Sequence, residues 1–438
     1  MARDVSMRRL ETSAMTHRTV SPAATASTMV MENSGIDGPC GEKEAYHTAA
    51  YTRATMNSAS ASLPLARVLA GMTRAGAIYD RLENDAVRCH ACGHRCLIPE
   101  GRVGVCKVRF NERGTLRVPW GYVGALQCDP IEKKPFFHAL PGALALSFGM
   151  LGCDYHCAYC QNWITSQAIR DPTAVAEPRA MEPGELVAIA RRRGAQVVAS
   201  TYNEPLITSE WGAAVLGEAQ AAGLLGAYIS NGTGTERVLD FIQPHVDLYK
   251  VDLKSFRDRV YRSLGGTLEA VLRTIESVWR RGLWLEIVTL VIPGFNDSEA
   301  ELGEMAGFIR DISPDIPWHV TAFHRDYKMT GPADTDAATL TRAADIGERQ
   351  GLRFVYAGNL PGAVGRREDT RCPGCGTTIV ARGGYHVRSF NLTAKGACPR
   401  CDRPIPGVWP GGVTHPALAG RAQAAPAPRP AAPSPVRG

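Results

Sequence analysis

The chain has 438 residues, of which 45% are hydrophobic and 21% are charged, and its formal net charge is +6. This balance is typical of a globular protein, and no apolar run approaches the roughly 18 residues of a membrane span. Because the N-terminus lacks the apolar stretch of a secretory signal, we expect a cytoplasmic protein that does not bind membranes. The 13 cysteines occur in clustered spacings, which indicates metal sites in a reducing compartment and not disulfides.

Residues 1–62 are rich in Ala, Ser, Thr and Met and have no sustained hydrophobic period, so we predict a disordered leader. Met56 and Met72 are alternative translation starts. A cysteine-rich module, residues 79–142, follows this leader. It contains an N-terminal quartet, Cys89, Cys92, Cys96 and Cys106, whose two tight spacings predict an auxiliary metal site. Zinc and an iron–sulfur cluster are both chemically reasonable there.

From Ala143 onward, short apolar runs alternate with amphipathic helices, which is typical of βα units. The predicted strands are Leu144–Met150, Gln196–Thr201, Ala227–Ser230, Leu248–Leu253, Leu285–Ile292 and His319–Phe323. The clearest helix is Thr267–Arg281, which Gly282 ends, and Ser298 and Glu301 form a capping box for the next helix. We therefore predict an α/β fold with a parallel βα barrel, complete or partial, over residues 143–360. Functional residues of such barrels lie at the carboxyl ends of the strands.

The cysteine loop, residues 152–162, reads Gly-Cys-Asp-Tyr-His-Cys-Ala-Tyr-Cys-Gln-Asn and follows the first of these strands. Its thiols, Cys153, Cys157 and Cys160, suit a soft, iron-rich centre. Three ligands leave one iron of a 4Fe–4S cluster open for chemistry. A zinc clip or buried structural thiols are the alternatives, but His156 is awkwardly placed for a fourth zinc ligand.

This C-x-x-x-C-x-aromatic-C run after a first barrel strand resembles the radical S-adenosylmethionine (SAM) superfamily. The flanking stretches, Asp129–Pro135 and Cys160–Trp163, are similar to the radical SAM enzyme of the AmmeMemoRadiSam system, a relative of the pyruvate formate-lyase activating enzymes. The resemblance runs from about Tyr79 to Trp409. It implies an oxidoreductase in which a 4Fe–4S cluster, reduced by an external electron donor, cleaves SAM. The resulting 5′-deoxyadenosyl radical would then abstract hydrogen from a substrate.

The resemblance also implies cofactor-binding residues at the strand ends. Relatives carry a Gly-Gly-Glu type motif for the SAM amino group where this chain has Asn203 and Glu204, so backbone carbonyls are expected to do part of that work. His324 matches a ribose contact. Tyr159 occupies the slot whose backbone meets the adenine. The remaining candidates are Ser230, Asn231, Asp252 and Lys254. For each there is a simpler interpretation: Asn-Gly is commonly a turn, an Asp–Lys pair can lie on the surface, and a single histidine is commonly structural.

The likeness to activating enzymes implies a protein substrate, such as the site of a glycyl radical. The likeness to the AmmeMemoRadiSam enzyme instead implies Memo-type and AMMECR-type partner proteins. The sequence leaves the substrate and the abstracted hydrogen open.

The C-terminal quartet, Cys372, Cys375, Cys398 and Cys401, consists of two tight pairs and predicts a zinc-ribbon-like module over residues 361–416. Structural zinc is the favoured metal, with rubredoxin-type iron or a cluster as alternatives. Residues 417–438 are rich in Ala and Pro and are predicted to be a flexible tail.

Residues 361–438 contain 11 lysines and arginines against 3 acidic residues, which motivates a different class of function. The chain would then be an iron–sulfur protein that binds or modifies nucleic acid. Few aromatic residues are interleaved with these charges, which disfavours that alternative. A non-catalytic iron–sulfur electron carrier is the other alternative, and SAM turnover separates it from an enzyme.

Overall fold

The computed structural model of the protein describes residues 64–410 and 412–413. The predicted leader, residues 1–62, and the predicted tail, residues 417–438, lie outside these ranges, as do Cys40 and Met56. Among the described helices, none combines the length and the hydropathy that crossing a bilayer requires.

The described chain begins with short antiparallel strands. Its first elements are helix α1 (Leu65–Gly71) and strands β1 (Thr73–Ala75), β2 (Tyr79–Arg81), β3 (Val87–Cys89), β4 (Leu97–Ile98), β5 (Phe110–Glu112), β6 (Thr115–Pro119) and β7 (Tyr122–Val123). Strands β1, β6 and β5 form one sheet, and β2, β3 and β4 form a second. Cys89 ends β3, Cys92 and Cys96 lie in the turn between β3 and β4, and Cys106 follows β4, so these small sheets position the thiols of the N-terminal quartet.

A mixed sheet forms the centre of the protein. Its strands are β8 (Ala125–Pro130), β9 (Leu144–Gly149), β11 (Val197–Ser200), β12 (Leu225–Ser230), β13 (Leu248–Asp252), β14 (Trp284–Val291), β15 (Trp318–Ala322) and β16 (Val355–Gly358), while β10 (Arg179–Ala180) pairs with β7. Their order is β16-β15-β14-β13-β12-β11-β9-β8. Strand β8 is antiparallel to β9, and the other neighbours are parallel. The carboxyl ends of the parallel strands therefore meet at one edge of the sheet.

Helices connect the parallel strands and pack against the sheet. They are α2 (Trp163–Ser166), α3 (Pro183–Arg192), α4 (Ser209–Ala221), α5 (Glu236–Ile242), α6 (Asp258–Leu264), α7 (Leu268–Arg280), α8 (Glu299–Ile312) and α9 (Ala337–Arg349). The predicted helix Thr267–Arg281 is present as α7. Its N-cap is Thr267, which accepts a hydrogen bond from the amide of Ala270, and Gly282 follows its end with a φ of 70°.

The predicted start of α8 is confirmed, but the side chain of Glu301, the second residue of the predicted capping box, binds a different loop. The hydroxyl of Ser298 accepts a hydrogen bond from the amide of Glu301. The Glu301 carboxylate accepts hydrogen bonds from the hydroxyl of Ser255 and the amide of Phe256. It thereby ties the loop after β13 to α8, a contact that local sequence spacing does not reveal.

The six predicted strands are all present, and their bounds differ from the prediction by one or two residues. The mostly parallel α/β sheet is therefore confirmed. Strands β8 and β16 were not predicted. Strand β8 is a half-buried edge strand that contains polar residues and a proline, so it has no clear hydrophobic period.

The C-terminal residues pack against the central part of the chain. Strands β17 (Thr370–Arg371), β18 (Thr378–Gly383) and β19 (His386–Phe390) form a sheet, and β20 (Val408–Trp409) pairs with β21 (Gly412–Val413). One apolar cluster contains Phe137, Tyr356 and the cysteines Cys372 and Cys398. The C-terminal quartet is therefore continuous with the core at strand β16.

The stretch after β8, which belongs to the motif behind the family resemblance, connects to these C-terminal residues. The buried Arg382 guanidinium donates to the carbonyl of Phe137 at 2.7 Å and lies 3.6 Å from the Glu132 carboxylate. A ring nitrogen of His138 lies 2.7 Å from the carbonyl of Pro406. Glu132 of the motif, with the adjacent Phe137 and His138, therefore has a structural role, because these residues hold Arg382 and Pro406 of the C-terminal part.

A buried ion pair joins the N-terminal module to the central part. Arg109 donates two hydrogen bonds of 2.7 Å to the Glu210 carboxylate on α4, and a third of 3.1 Å to the carbonyl of Ile207. Both side chains of the pair are 1% exposed. Bidentate Arg–carboxylate geometry of this kind offsets much of the cost of burying the charges.

We predict that Glu210→Gln destabilises the protein by about 3–5 kcal/mol, because it leaves the Arg109 charge buried without a charged partner. Thermal unfolding of the anaerobically purified protein measures the change. The matched control is Glu304→Gln, which removes a partner of Arg257 from an exposed pair and should cost at most about 1 kcal/mol. Equal losses in the two variants would contradict a special role for the buried pair.

Candidate active site and metal centres

The cysteine loop lies at the carboxyl end of β9. Gly152 has a φ of 93°, which favours glycine, and it turns the chain out of the strand. Cys157 is buried, and Cys153 and Cys160 are partly exposed. Burial raises the pKa of all three thiols. The charge of Cys157 further raises the pKa of Cys153, and the charge of Cys160 further raises the pKa of Cys157.

The thiols of the cysteine loop fit an iron–sulfur cluster. Burial raises the pKa of Cys157 to about 12, and coordination to a metal would replace its proton. Donors also reach the neighbouring sulfurs. The amide of Tyr155 is 3.4 Å from Cys153 Sγ, and Ser166 Oγ is 3.2 Å from Cys160 Sγ. Hydrogen bonds to ligand sulfurs are one way in which proteins tune such clusters.

A buried carboxylate, Glu204, connects two strand ends beside this loop. It follows β11 and accepts hydrogen bonds from the Ser230 hydroxyl and the Asn231 amide, both at 2.7 Å, after β12. The amide of Leu206 donates a third at 3.1 Å. Three of the predicted site residues are thus brought into direct contact.

A second carboxylate, Asp154, completes this network and was missed from the sequence. Asn231 Nδ2 donates to it at 2.8 Å and Thr233 Oγ1 at 2.7 Å. Its Oδ1 also lies 3.7 Å from Cys153 Sγ. Burial, and then the charge of Asp154, raise the pKa of Glu204 to about 8. Asp154 lies inside the cysteine run, and that position is the signal that could have identified it.

Three charged side chains lie at the end of β13. Asp252 accepts hydrogen bonds from Lys250 and, at 3.2 Å, from Lys254. Burial alone would raise the pKa of Asp252, but the two lysines outweigh it and lower the pKa to about 2. Lys254 Nζ lies 6.0 Å from the centre of the Tyr159 ring in the cysteine loop. Two ammonium groups share one carboxylate, so this corner of the site is positively charged.

Lys250 was not predicted, although its spacing from Asp252 could have identified it as a member of this group of charges. It stands two residues before Asp252 on the same strand, so both side chains point to the same face.

The segment after β15 lies against the cysteine loop. His324 Nε2 is 2.9 Å from Nε2 of Gln161, although the His324 side chain is exposed. The amides of Lys328 and Met329 both donate to the carbonyl of Ala158 at 2.9 Å. This segment therefore covers part of the loop.

The other two predicted residues, Asn203 and Tyr159, are buried. Asn203 accepts a hydrogen bond from the amide of Met150 at 3.0 Å, which holds the end of β9 to the loop after β11. The Tyr159 ring packs against Phe295 with 5.8 Å between ring centres. The predicted candidates from the cysteine loop to His324 thus lie at the carboxyl edge of the sheet.

The two cysteine quartets are described by the burial of their thiols and by the distances between their sulfurs. In the N-terminal quartet, Cys89, Cys92 and Cys106 are buried and Cys96 is partly exposed. In the C-terminal quartet, all four sulfurs lie within 4.8 Å of one another. The Cys372–Cys401 and Cys375–Cys398 sulfur pairs are 3.5 and 3.6 Å apart. Four sulfurs at such separations suit one tetrahedral ion.

Comparisons with known proteins agree with this geometry. A family model of the radical SAM superfamily matches residues 149–306, which include the cysteine loop and the ends of strands β11–β13. A protein of Methanocaldococcus jannaschii, MJ0808, which is described as uncharacterized, is 35% identical over 335 residues that cover 76% of this chain and 98% of the relative. Residues 149–306 therefore form a radical SAM superfamily domain, and that family uses a 4Fe–4S cluster and SAM.

Solved structures with partial overlap include radical SAM enzymes. A domain of the pyruvate formate-lyase activating enzyme from Bacteroides vulgatus is 18% identical, with a TM-score of 0.33, and the match covers 37% of this chain and 98% of that one. SuiB from Streptococcus suis bound to S-adenosylmethionine is 13% identical, with a TM-score of 0.39, and the match covers 52% and 53%. At these low TM-scores, the family assignment rests on the sequence matches.

We predict that Cys398→Ser removes one bound zinc per chain and lowers the melting temperature, because metal binding contributes to folding and Cys398 lies in the adjoining apolar cluster. SAM cleavage per loaded catalytic cluster should be nearly unchanged. Metal analysis, thermal unfolding and 5′-deoxyadenosine formation measure these three outcomes. Iron in place of zinc, or lost cleavage with the catalytic cluster intact, would contradict a structural zinc.

Proposed function

We propose that the protein is a radical SAM enzyme whose catalytic 4Fe–4S cluster is held by Cys153, Cys157 and Cys160. The observation that carries this proposal is the position of the three thiols beside buried carboxylates and lysines at one edge of a parallel sheet. We infer that this sheet forms a partial βα barrel around the site. When bound, the cluster would supply the electron for reductive cleavage of SAM and so for hydrogen abstraction from the substrate.

The chain's own residues bind and orient SAM. The positive corner formed by Lys250, Asp252 and Lys254 suits the carboxylate of the methionine group, since the Lys254 ammonium group lies 6.0 Å from the Tyr159 ring of the cysteine loop. On the other side, Glu204 and the nearby carbonyl of Asn203 suit the amino group. Because Glu204 already accepts three hydrogen bonds, its oxygens are fixed before SAM binds.

The remaining predicted residues line the rest of the cofactor site. Ser230 and Asn231 set the position of Glu204, whereas the backbone at Tyr159 would meet the adenine and His324 would contact the ribose. The segment after β15 excludes water, because its amides close over Ala158 in the cysteine loop. Excluding water matters here because a primary carbon radical reacts with almost any nearby group.

The substrate that we favour is a protein, as for activating enzymes, and Memo-type and AMMECR-type proteins are the proposed partners. This part of the proposal is supported by the sequence resemblance around residues 129–135 and 160–163. The C-terminal quartet is proposed to hold structural zinc, since its four sulfurs are closely gathered and leave no position for substrate.

Replacing Cys153, Cys157 and Cys160 together by Ala should abolish 5′-deoxyadenosine formation, because the cluster loses its protein ligands. The assay uses anaerobically reconstituted protein, SAM and dithionite, with the product measured by chromatography. Cys128→Ser, which changes a cysteine outside the three groups, serves as the control and should retain turnover. Product formation by the triple variant would refute the proposed site.

Asp252→Asn and Lys254→Ala should each weaken SAM binding about tenfold to a hundredfold, the equivalent of one charge-assisted contact. Equilibrium binding of SAM to reconstituted protein measures the change, and iron content shows whether the cluster is still loaded. Asp258→Asn is the matched control, since it alters an exposed pair with Arg262. If both site variants bind SAM as tightly as the unmodified protein, the pair lies outside the cofactor site.

A further inference from the structure

Three charged side chains of the Asp129–Pro135 stretch have no part in the proposed cofactor site. Lys134 Nζ lies 3.0 Å from the Asp129 carboxylate, and Lys133 Nζ lies 3.1 Å from it. Burial alone would raise the pKa of Asp129, but the two lysines outweigh it and lower the pKa. We call Asp129, Lys133 and Lys134 the edge group, because β8 is an edge strand of the central sheet. Two ammonium groups share one carboxylate, so the edge group is positively charged.

The edge group lies on the same face of the sheet as the proposed cofactor corner at Asp252. Asp129 stands two residues after Gln127, and side chains two residues apart in a strand point to one face. The residues in register with Gln127 on the next four strands share that face, and they are Ser147, Ala199, Ala227 and Leu248. Leu248 stands two residues before Lys250 and four before Asp252. The face that would bind SAM therefore carries a second positive group.

Tyr202 connects the edge group to the cofactor site. It stands two residues before Glu204, and its carbonyl accepts a hydrogen bond from Thr165 Oγ1 at 3.3 Å, close behind the cysteine loop. At the other end of the side chain, the hydroxyl accepts from Lys134 Nζ at 3.2 Å and donates to Gln127 Oε1 at 3.3 Å. One tyrosine therefore spans the distance between the cysteine loop and the edge group.

The backbone of Tyr202 is held in a conformation that bulky residues rarely adopt. Its φ is 68°, which is unfavourable for a residue with a large side chain. Gly149 makes room for this turn, since a Cβ there would lie 2.6 Å from the carbonyl oxygen of Thr201 and 2.8 Å from Tyr202 Cβ. Residues held in such conformations cluster at active sites. The position of the Tyr202 ring is thus maintained against a local backbone preference.

Lys134 has hydrogen-bonding capacity that the fold does not use. Its side chain is 7% exposed, and an ammonium group has three N–H donors. Within residues 64–410 and 412–413, two acceptors take hydrogen bonds from it, Asp129 and Tyr202. Lys133 is 45% exposed and adds a second positive charge beside it. A buried ammonium group with a remaining donor suits a carboxylate, since hydrogen bonds between charged groups are the strong ones.

The edge group is within reach of a molecule bound beside the cofactor. Gln127, which contacts Tyr202, pairs with Ser147, two residues before Gly149 at the end of β9. Strands rise about 3.3 Å per residue, so Gln127 stands about 7 Å along β9 from the point at which the chain enters the cysteine loop. A small acid or one acidic side chain is long enough to extend over this distance.

We propose that Lys134 binds a carboxylate group of the substrate, with Lys133 adding charge and Tyr202 positioning Lys134. The edge group would then determine which substrate is placed beside SAM. This inference rests on the function proposed above, because it assigns the substrate side of the same site. The carboxylate comes from an acidic side chain of a protein or from a small carboxylic acid, and Lys134 recognises the same group in both.

Binding of defined probes tests the edge group without turnover. The probes are glutarate, glutaramide and two peptides, acetyl-Ala-Glu-Ala-amide and acetyl-Ala-Gln-Ala-amide. Each is titrated calorimetrically into reconstituted protein that already holds SAM, so the cofactor corner is filled. At least one carboxylate probe should bind about tenfold more tightly than its amide counterpart, the equivalent of one charge-assisted hydrogen bond. The carboxylate that binds more tightly identifies the source, and no preference in either pair overturns the proposal.

Two substitutions should shift this preference in opposite directions. Lys134→Met removes the buried ammonium group and should abolish the preference, which Lys134→Arg should retain. Asp129→Asn removes the carboxylate that competes for both lysines, so it should strengthen binding of the carboxylate probe about tenfold. A merely structural ion pair would instead weaken binding in both variants, and that result would overturn the proposal. Lys395→Met, which changes an exposed lysine of the C-terminal part, is the matched control.

Tyr202→Phe tests the positioning role separately. The variant keeps the ring but loses the hydroxyl that accepts from Lys134, so the preference for carboxylate should fall about twofold to tenfold, the effect of one neutral hydrogen bond. An unchanged preference would remove Tyr202 from the proposal.

This inference and the proposed function fail in different measurements. The proposed function fails if the unmodified protein, with its cluster loaded and dithionite present, forms no 5′-deoxyadenosine from SAM. The inference fails if that protein cleaves SAM but shows no preference for a carboxylate probe, or if the preference persists in Lys134→Met.

Discussion

The whole site depends on how Asn231 holds two buried carboxylates. Its amide donates to Glu204 and its side chain donates to Asp154, so the loops after β9, β11 and β12 meet at one residue. Burying two carboxylates side by side is costly, and each added donor offsets part of that cost. The arrangement fixes the cysteine loop relative to the sheet before any cofactor is bound, which is the preorganisation that an enzyme of this class needs.

The site has one side that carries carboxylates and another side that carries lysines. Asp154 and Glu204 lie beside the cysteine loop and the end of β12, whereas Lys250 and Lys254 surround Asp252 at the end of β13. A zwitterionic methionine group has one positive and one negative end, and this division gives it a defined orientation. The charges that we propose bind the cofactor are therefore supplied by different strands, and the sheet sets the distance between them.

The sequence allowed the main parts of this arrangement to be predicted, for physical reasons that also explain the misses. Cysteine spacing indicates candidate metal ligands directly. Buried parallel strands have strong apolar runs, so the strand ends were correctly placed. Asp154 and Thr233 were missed because their roles arise only when loops distant in sequence meet. Glu301 looked like a local capping residue, yet its carboxylate binds residues of another loop. Strand β8 lacks a hydrophobic period because it is only half-buried.

The contacts of the C-terminal part bear on the order in which the protein folds during synthesis. Arg382 meets Phe137 across 245 residues of sequence, and His138 meets Pro406 across 268. The core cluster beside β16 is therefore incomplete until the last cysteines have left the ribosome. Contacts so distant in sequence form slowly because a long loop must close first. Until then, the apolar side chains around Phe137 stay exposed, and we expect the nascent chain to depend on chaperones at this late stage of its synthesis.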